Sequence, residues 1–284
     1  MINLRLFFLI ACSWLFWEGF GQVPLFKVEV PDSVIAKMKE RNSKITISSA
    51  NGKIKIDPYE YADRESLKEV VIEEGIEEIG EYAFMNCPEL ESVILPSSLK
   101  QIGEGAFREC VALKKLDIPP GVKAVPPYMC AWDKDLESVS LPPGLIDIGR
   151  NAFSYCTSLK TISLPQDLKH IGPNAFSFCE SLEEVEIPDS MEELESYAFS
   201  GCRNLVKAKL PANSNMLGEL IFTGCENLKE IVCLSQVPPT FDCDTPLIDP
   251  LEEETIGNCR LTIIPESYVL FRDAPGWSLF FLSQ

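Results

Sequence analysis

The chain has 284 residues, a net charge of −18, a hydrophobic fraction of 46% and 11 cysteines. That hydrophobic fraction excludes a disordered chain, and the acidity opposes binding to nucleic-acid phosphates or to anionic lipid through a polybasic patch. The length accommodates one extended array or two ordinary domains, and the internal periodicity described below selects the array.

Residues 1–21 have the zones of a secretory signal: the basic Arg5, an apolar run from Leu6 to Trp17, and Gly19-Phe20-Gly21 as a small-residue segment. A signal peptide cleaved after Gly21 is expected, and the charge of −18 survives cleavage because Arg5 and Glu18 cancel. Two other readings stay open. Leu9-Ile10-Ala11-Cys12 reads as a lipobox with Cys12 as a lipid anchor, although the apolar run before Cys12 is short. An uncleaved anchor is the other, although the run falls well short of the roughly 20 residues that span a bilayer. No other segment is long enough to span, so no membrane insertion is expected after signal removal. The protein is expected to be secreted or at the cell surface, with the periplasm as an option.

Residues 22–66 read as an N-terminal cap containing a degenerate repeat. Pro31-Asp32-Ser33 starts a short helix through about Arg41, with Val34, Ile35 and Met38 on one face. Ile45-Thr46-Ile47 and Ile54-Lys55-Ile56 then flank Asn51-Gly52, a hairpin-like turn signal. Subtracting 23 from the positions of the next repeat puts Ile47, Ile56 and Tyr61 in its valine, isoleucine and phenylalanine columns.

Over residues 67–233 a 23-residue unit recurs seven times without insertion, marked by Leu67, Leu90, Leu113, Leu136, Leu159, Leu182, Leu205 and Leu228. Each leucine is followed by apolar residues three and five positions on, the pattern of a leucine-rich repeat strand. A second column holds Ile79, Ile102, Val125, Ile148, Ile171, Leu194 and Leu217. A third holds Phe84, Phe107, Cys130, Phe153, Phe176, Phe199 and Phe222, and a fourth Cys87, Cys110, Asp133, Cys156, Cys179, Cys202 and Cys225. Proline closes most of the strands, because it cannot donate to a sheet ladder.

One such unit cannot bury its apolar face alone and must stack on its neighbours. The phenylalanines are expected to fill the widest part of each coil. The cysteine column is expected to point one way, too widely spaced for disulfides, and to act as small buried hydrophobes with a weak donor. Asp133 in that column implies a slot that accepts a hydrogen-bonding side chain. The third repeat is irregular: Val125-Pro-Pro-Tyr-Met-Cys-Ala-Trp132 replaces the usual pattern. Tyr128 and Trp132 form either an exposed recognition pair or, as favoured, a Trp132 packed over the smaller Cys130.

Residues 234–284 read as an irregular loop and a C-terminal cap, with a strand at Leu261–Ile264, a short helix and Trp277. A disulfide among Cys233, Cys243 and Cys259 is an option. The acids of 242–244 and 252–254 lack the fixed ligand spacing of a calcium loop and read as solvated.

Segments such as Leu-Pro-Ser-Ser-Leu-Lys-Gln-Ile-Gly-Glu-Gly-Ala-Phe-Arg-Glu-Cys-Val-Ala-Leu (95–113) resemble the BspA-like bacterial leucine-rich repeats, and residues 261–277 resemble the cap that often ends such arrays. The resemblance implies an α/β fold: a right-handed solenoid with a parallel concave sheet, 23-residue repeats and a cap at each end. It also implies adhesion to host proteins or between cells.

The chemistry of catalysis is thinly supplied. The single histidine, His170, falls in a variable slot and lacks the partners of a hydrolytic triad, so no enzyme activity, cofactor or metal is expected. Binding remains. The outward concave positions nominated as a partner site are Lys115, Asp117, Ser138, Ser140, Thr161, Ser163, Glu184, Glu186, Lys207 and Lys209. They run from hydroxyls to a doubly acidic and then a doubly basic rung, which suits a protein ligand such as a host extracellular or cell-surface protein. The alternative is a structural envelope protein with no soluble ligand.

Overall fold

The computed structural model describes residues 43–214, 216–241, 246–250 and 252–281. The signal, the lipobox and the helix expected before Arg41 lie outside the described residues, as does Cys243.

Alternating aliphatic and polar residues make short strands whose inner side chains meet the core. Glu69–Ile72, Ser92–Ile94, Lys115–Asp117, Ser138–Ser140, Glu184–Glu186, Lys207–Leu210 and Glu230–Cys233 run side by side along the concave face. All pairings are parallel, and Glu69 faces Ser92, Lys115 faces Ser138 and Glu184 faces Lys207, each one repeat of 23 apart. A second row of two-residue strands, including Gln101–Ile102, Asp147–Ile148 and Glu193–Leu194, follows each proline turn. Leucines 67 to 228 of the strand column are buried between the rows. The result is a parallel-strand solenoid with few helices, as the repeat predicts.

The convex side is built from turns rather than helices. Tyr61, Phe84, Phe153, Phe176 and Phe199 each donate a backbone N–H at 2.8–3.0 Å to a carbonyl 22 residues on, in the next coil. Two residues per coil adopt positive φ to aim these groups, among them Tyr82 with Asn86, Tyr128 with Trp132 and Asn174 with Phe178. For a bulky residue that conformation costs about 1–3 kcal/mol, and stacking on the neighbouring coil offsets it. The buried rings form a ladder, with centroid separations of 5.3 Å for Phe153–Phe176 and 5.1 Å for Phe176–Phe199.

This spacing corrects the reading of the cysteine column. Coils about 5 Å apart lie within the Cα reach of a disulfide, so separation is not what keeps the thiols free. Each one is aimed instead at a main-chain carbonyl of the preceding coil, as Cys110 is at Phe84 O (3.2 Å) and Cys202 at Phe176 O (3.2 Å).

In the first coil the strand Lys44–Ile47 pairs with Glu69–Ile72 so that Ile45, not Ile47, faces Val70, and Ile47 faces Ile72. Ile56 and Tyr61 do keep their columns, opposite Ile79 and against Phe84. The 3-10 turn Ala50–Gly52 absorbs the extra residues. It joins strands of two different sheets, so Asn51-Gly52 makes no hairpin. The third repeat conserves volume by inversion: Met129 and Cys130, both fully buried, replace the usual Ala-Phe pair. The Trp132 ring stacks on Tyr155 at 5.4 Å.

The segment expected to be an irregular loop contains a strand, Thr240–Phe241, and a helix, Glu253–Asn258. The cap strand Arg260–Ile263 pairs with Glu230–Cys233, one residue earlier than expected. Cys233 and Cys259 are both free and buried. Cys233 faces Ile263 whereas Cys259 precedes Arg260, which faces Glu230, so the two sit at opposite ends of the strand pair. The last coil's convex N–H groups have no further coil to receive them. Leu220 donates to Pro246 O and Phe222 to Leu247 O, both at 2.9 Å. Gly224 N–H donates to the Glu252 carboxylate at 3.0 Å, and the Thr223 hydroxyl donates to the same group. Glu252 is therefore a seal on the array and not a solvated loop acid. Glu252→Ala is expected to destabilise the chain by about 1.5–3 kcal/mol, the range for hydrogen bonds to a charged group, measured by urea denaturation; an unchanged midpoint would remove that role.

Candidate protein-binding face

Along each concave strand the two residues flanking the buried middle one point to solvent, as period-two geometry requires. Lys115 and Asp117 flank buried Leu116, Glu184 and Glu186 flank Val185, and Lys207 and Lys209 flank Ala208. Ser138, Ser140, Thr161 and Ser163 occupy the equivalent places between them, giving an uncharged floor of hydroxyls. The ten nominated residues thus share one face.

The ladder beneath that floor is interrupted. Strands 115–117 and 138–140 form one pair and strands 184–263 another sheet; between them the chain at Thr161 forms no strand, bridging to Ser138 and to Glu184, with Lys160 N–H donating to Glu137 O at 3.4 Å and Glu183 N–H to Lys160 O at 3.3 Å. At this break lies a cleft of about 500 Å³ lined by Thr161, Ser163, Gln166, Glu186, Lys207 and Lys209 among others.

Most of the charge on the face is tied up in ion pairs, several of them across coils. Lys209 binds Glu186, which raises the Lys209 pKa. Lys207 lies 3.2 Å from Glu230, which also accepts from Arg260 at 2.7 Å and from the Thr262 hydroxyl at 2.8 Å. Arg260, then Thr262 and Lys207, hold the Glu230 carboxyl down at about 2. Asp117 accepts from Ser140 at 2.6 Å and pairs with Lys115 at 3.1 Å, and both lower its pKa. Among the described residues Glu184 forms no ion pair. From Lys44 to Thr262 the outward concave positions carry five basic side chains (Lys44, Lys115, Lys207, Lys209, Arg260) and five acidic ones (Glu69, Asp117, Glu184, Glu186, Glu230). The face is neutral on a chain of net charge −18, so the acidity lies elsewhere on the molecule.

The doubly basic rung read from the sequence is therefore no free cationic site. Sequence reasoning missed Arg260 and the joint role of Glu230, because the last coil takes 30 residues where the regular repeats take 23. A cap strand starting with Arg after the array was the available signal.

Other features have less to offer a ligand. The convex aromatic row Trp132–Tyr155–Phe178 has no free ring face at its ends: the Arg108 guanidinium lies 4.9 Å over Trp132, and Gly201 closes on Phe178, where a Cβ would come within 2.6 Å of the ring. His170 is half-buried between Asp147 and Glu193, 3.4 Å from the latter. Burial raises the Asp147 pKa, with His170 opposing the shift. Among the described residues no group of three His, Cys, Asp or Glu side chains is placed to hold a metal ion, and no helix is long and apolar enough to cross a membrane.

The family model for the BspA type leucine rich repeat region matches in 6 copies, over residues 54–156 and 123–239. Three solved structures are similar. A leucine-rich repeat protein of T. pallidum has 26% identity over 66% of this chain and 78% of its own, with a TM-score of 0.47. One from Bacteroides ovatus has 26% identity over 67% of this chain and 60% of its own, at 0.49. A leucine rich cell surface protein of Faecalibacterium prausnitzii has 24% identity over 75% and 73%, at 0.46. No curated protein matches the chain.

Proposed function

The chain belongs to the BspA-type leucine-rich repeat family, and on that premise we propose that it is a non-enzymatic recognition module, secreted or displayed at the cell surface, that binds a protein ligand through its concave face. The observation that carries this reading is the neutrality of that face on a strongly acidic chain. A protein partner approaches a hydroxyl floor and a cleft without crossing a field of one sign. The signal-like residues 1–21 support export, and the repeat architecture supplies a broad surface rather than an enclosed pocket.

Purified residues 22–284 are to be screened against extracellular-matrix proteins, plasma proteins and glycans at near-physiological salt. Saturable binding to one protein is expected, with about a tenfold or larger loss on the double charge reversal Lys207→Glu with Lys209→Glu, or Glu184→Lys with Glu186→Lys. The exchange Glu186→Lys with Lys209→Glu keeps the internal pair while moving the charges. Continued loss in that variant locates direct contact, whereas full recovery would show that only the pair mattered. Silence across the panel, with co-purification in envelope material, would sink the ligand reading in favour of a structural role.

A further inference from the structure

In the convex column next to the phenylalanine ladder, six coils hold cysteine and one holds Asp133. Every one of those thiols is directed at the carbonyl 26 residues earlier, at 3.1–3.3 Å: Cys87 at Tyr61 O, Cys110 at Phe84, Cys156 at Cys130, Cys179 at Phe153, Cys202 at Phe176 and Cys225 at Phe199. The column thus supplies one donor per coil to a main-chain oxygen. The same step from Asp133 leads to the carbonyl of Phe107.

Asp133 is fully buried. Its Oδ1 accepts the Cys110 N–H at 2.8 Å, while Oδ2 is buried with no hydrogen-bond partner among the described residues. An ionised carboxylate would leave the Oδ2 acceptor without a hydrogen bond in a dry interior, a costly arrangement of a polar group. Burial, the largest influence, and the Glu109 carboxylate favour its neutral form, the Cys110 N–H and the Cys130 thiol oppose them, and no cationic side chain is among the groups that act on it. A buried, unpaired carboxylate does not persist; it takes up a proton.

We propose that Asp133 is a neutral carboxylic acid whose Oδ2–H donates to the Phe107 carbonyl, taking the role that a thiol has in the other six coils. The third coil then carries a proton as part of its structure, and alkaline pH loosens the array there. Burial, which holds the acid well above the ordinary carboxylate range, acts in the same direction. A group whose pKa is raised by folding adds stability that is complete below its unfolded value and is lost as pH rises through its folded value. Above the ordinary range for aspartate, the unfolded chain releases the proton and the folded chain keeps it.

The test is urea unfolding of the full chain as a function of pH, comparing wild type with Asp133→Asn, which retains an acceptor and a donor without titrating, and with Asp133→Cys, the column's own residue. Both variants are expected to gain on wild type as pH rises from 5, by up to about tenfold in the folding equilibrium constant per pH unit, until Asp133 ionises. At neutral pH, infrared spectra should show the carbonyl stretch of a protonated carboxyl in wild type that both variants lack. If Asp133→Asn does not fold, the cysteine variant carries the comparison. A pH-independent difference together with no protonated carboxyl band would overturn the assignment.

Discussion

Phe176→Ala is expected to lower stability by about 3–5 kcal/mol, the range for removing a buried aromatic side chain. Its ring is fully buried and stacked on both faces, with Phe153 on one side and Phe199 on the other. Backbone hydrogen bonds run above and below it, Phe153 to Ala175 and Phe176 to Ala198, both at 2.8 Å. The coils are thereby held at a fixed spacing and cannot close over the cavity. Phe153→Ala falls in the same range and tests whether the phenylalanine column is the core. Its ladder ends at Cys130, where Met129 supplies the missing volume, so neighbouring side chains have more freedom to relax and the loss is expected at the lower end. Denaturant midpoints of the two variants decide the matter, and a loss below 1 kcal/mol in both would remove the ladder from the core.

Trp277→Ala is expected to cost about as much, 3–5 kcal/mol, with a different consequence. Trp277 is fully buried, donates its indole N–H to Pro239 O at 2.8 Å and packs edge-on against Phe271 at 5.0 Å and beside Phe241 at 5.6 Å. These contacts hold the C-terminal helix Tyr268–Asp273 against the segment that pairs with the last short strand. Terminal units keep a repeat array soluble by shielding its apolar end. The variant is expected to aggregate on heating and to bind a hydrophobic dye below its midpoint, where Phe176→Ala unfolds without that end exposed first. Equal dye binding in both variants would argue against a separate sealing role for the cap.

The repeat made much of the fold legible. Columns at Leu67, Val70, Ile79 and Phe84 name inward positions because a side chain's direction within one coil follows from local strand and turn geometry, and all four are buried. The same logic placed Lys115 to Lys209 on one face. It failed where coil length changes. Ile47 was displaced by the turn at Ala50–Gly52, and the Glu230 cluster lay hidden because the final coil is longer than the rest. The cap helix Glu253–Asn258 left no clear signal in a run of acids whose first member, Glu252, turns inward to the orphan N–H of Gly224.

By itself, the sequence determined the period, the solenoid and which residues enter its core, because each coil repeats one local pattern and must bury one local face. Only the tertiary structure decided what each outward or buried polar group meets: Lys209 on Glu186, Arg260 on Glu230, a break in the sheet at Thr161 and an acid without a base at Asp133. Those partners lie in neighbouring coils, and their identity depends on the number of residues between them and on how closely the coils stack.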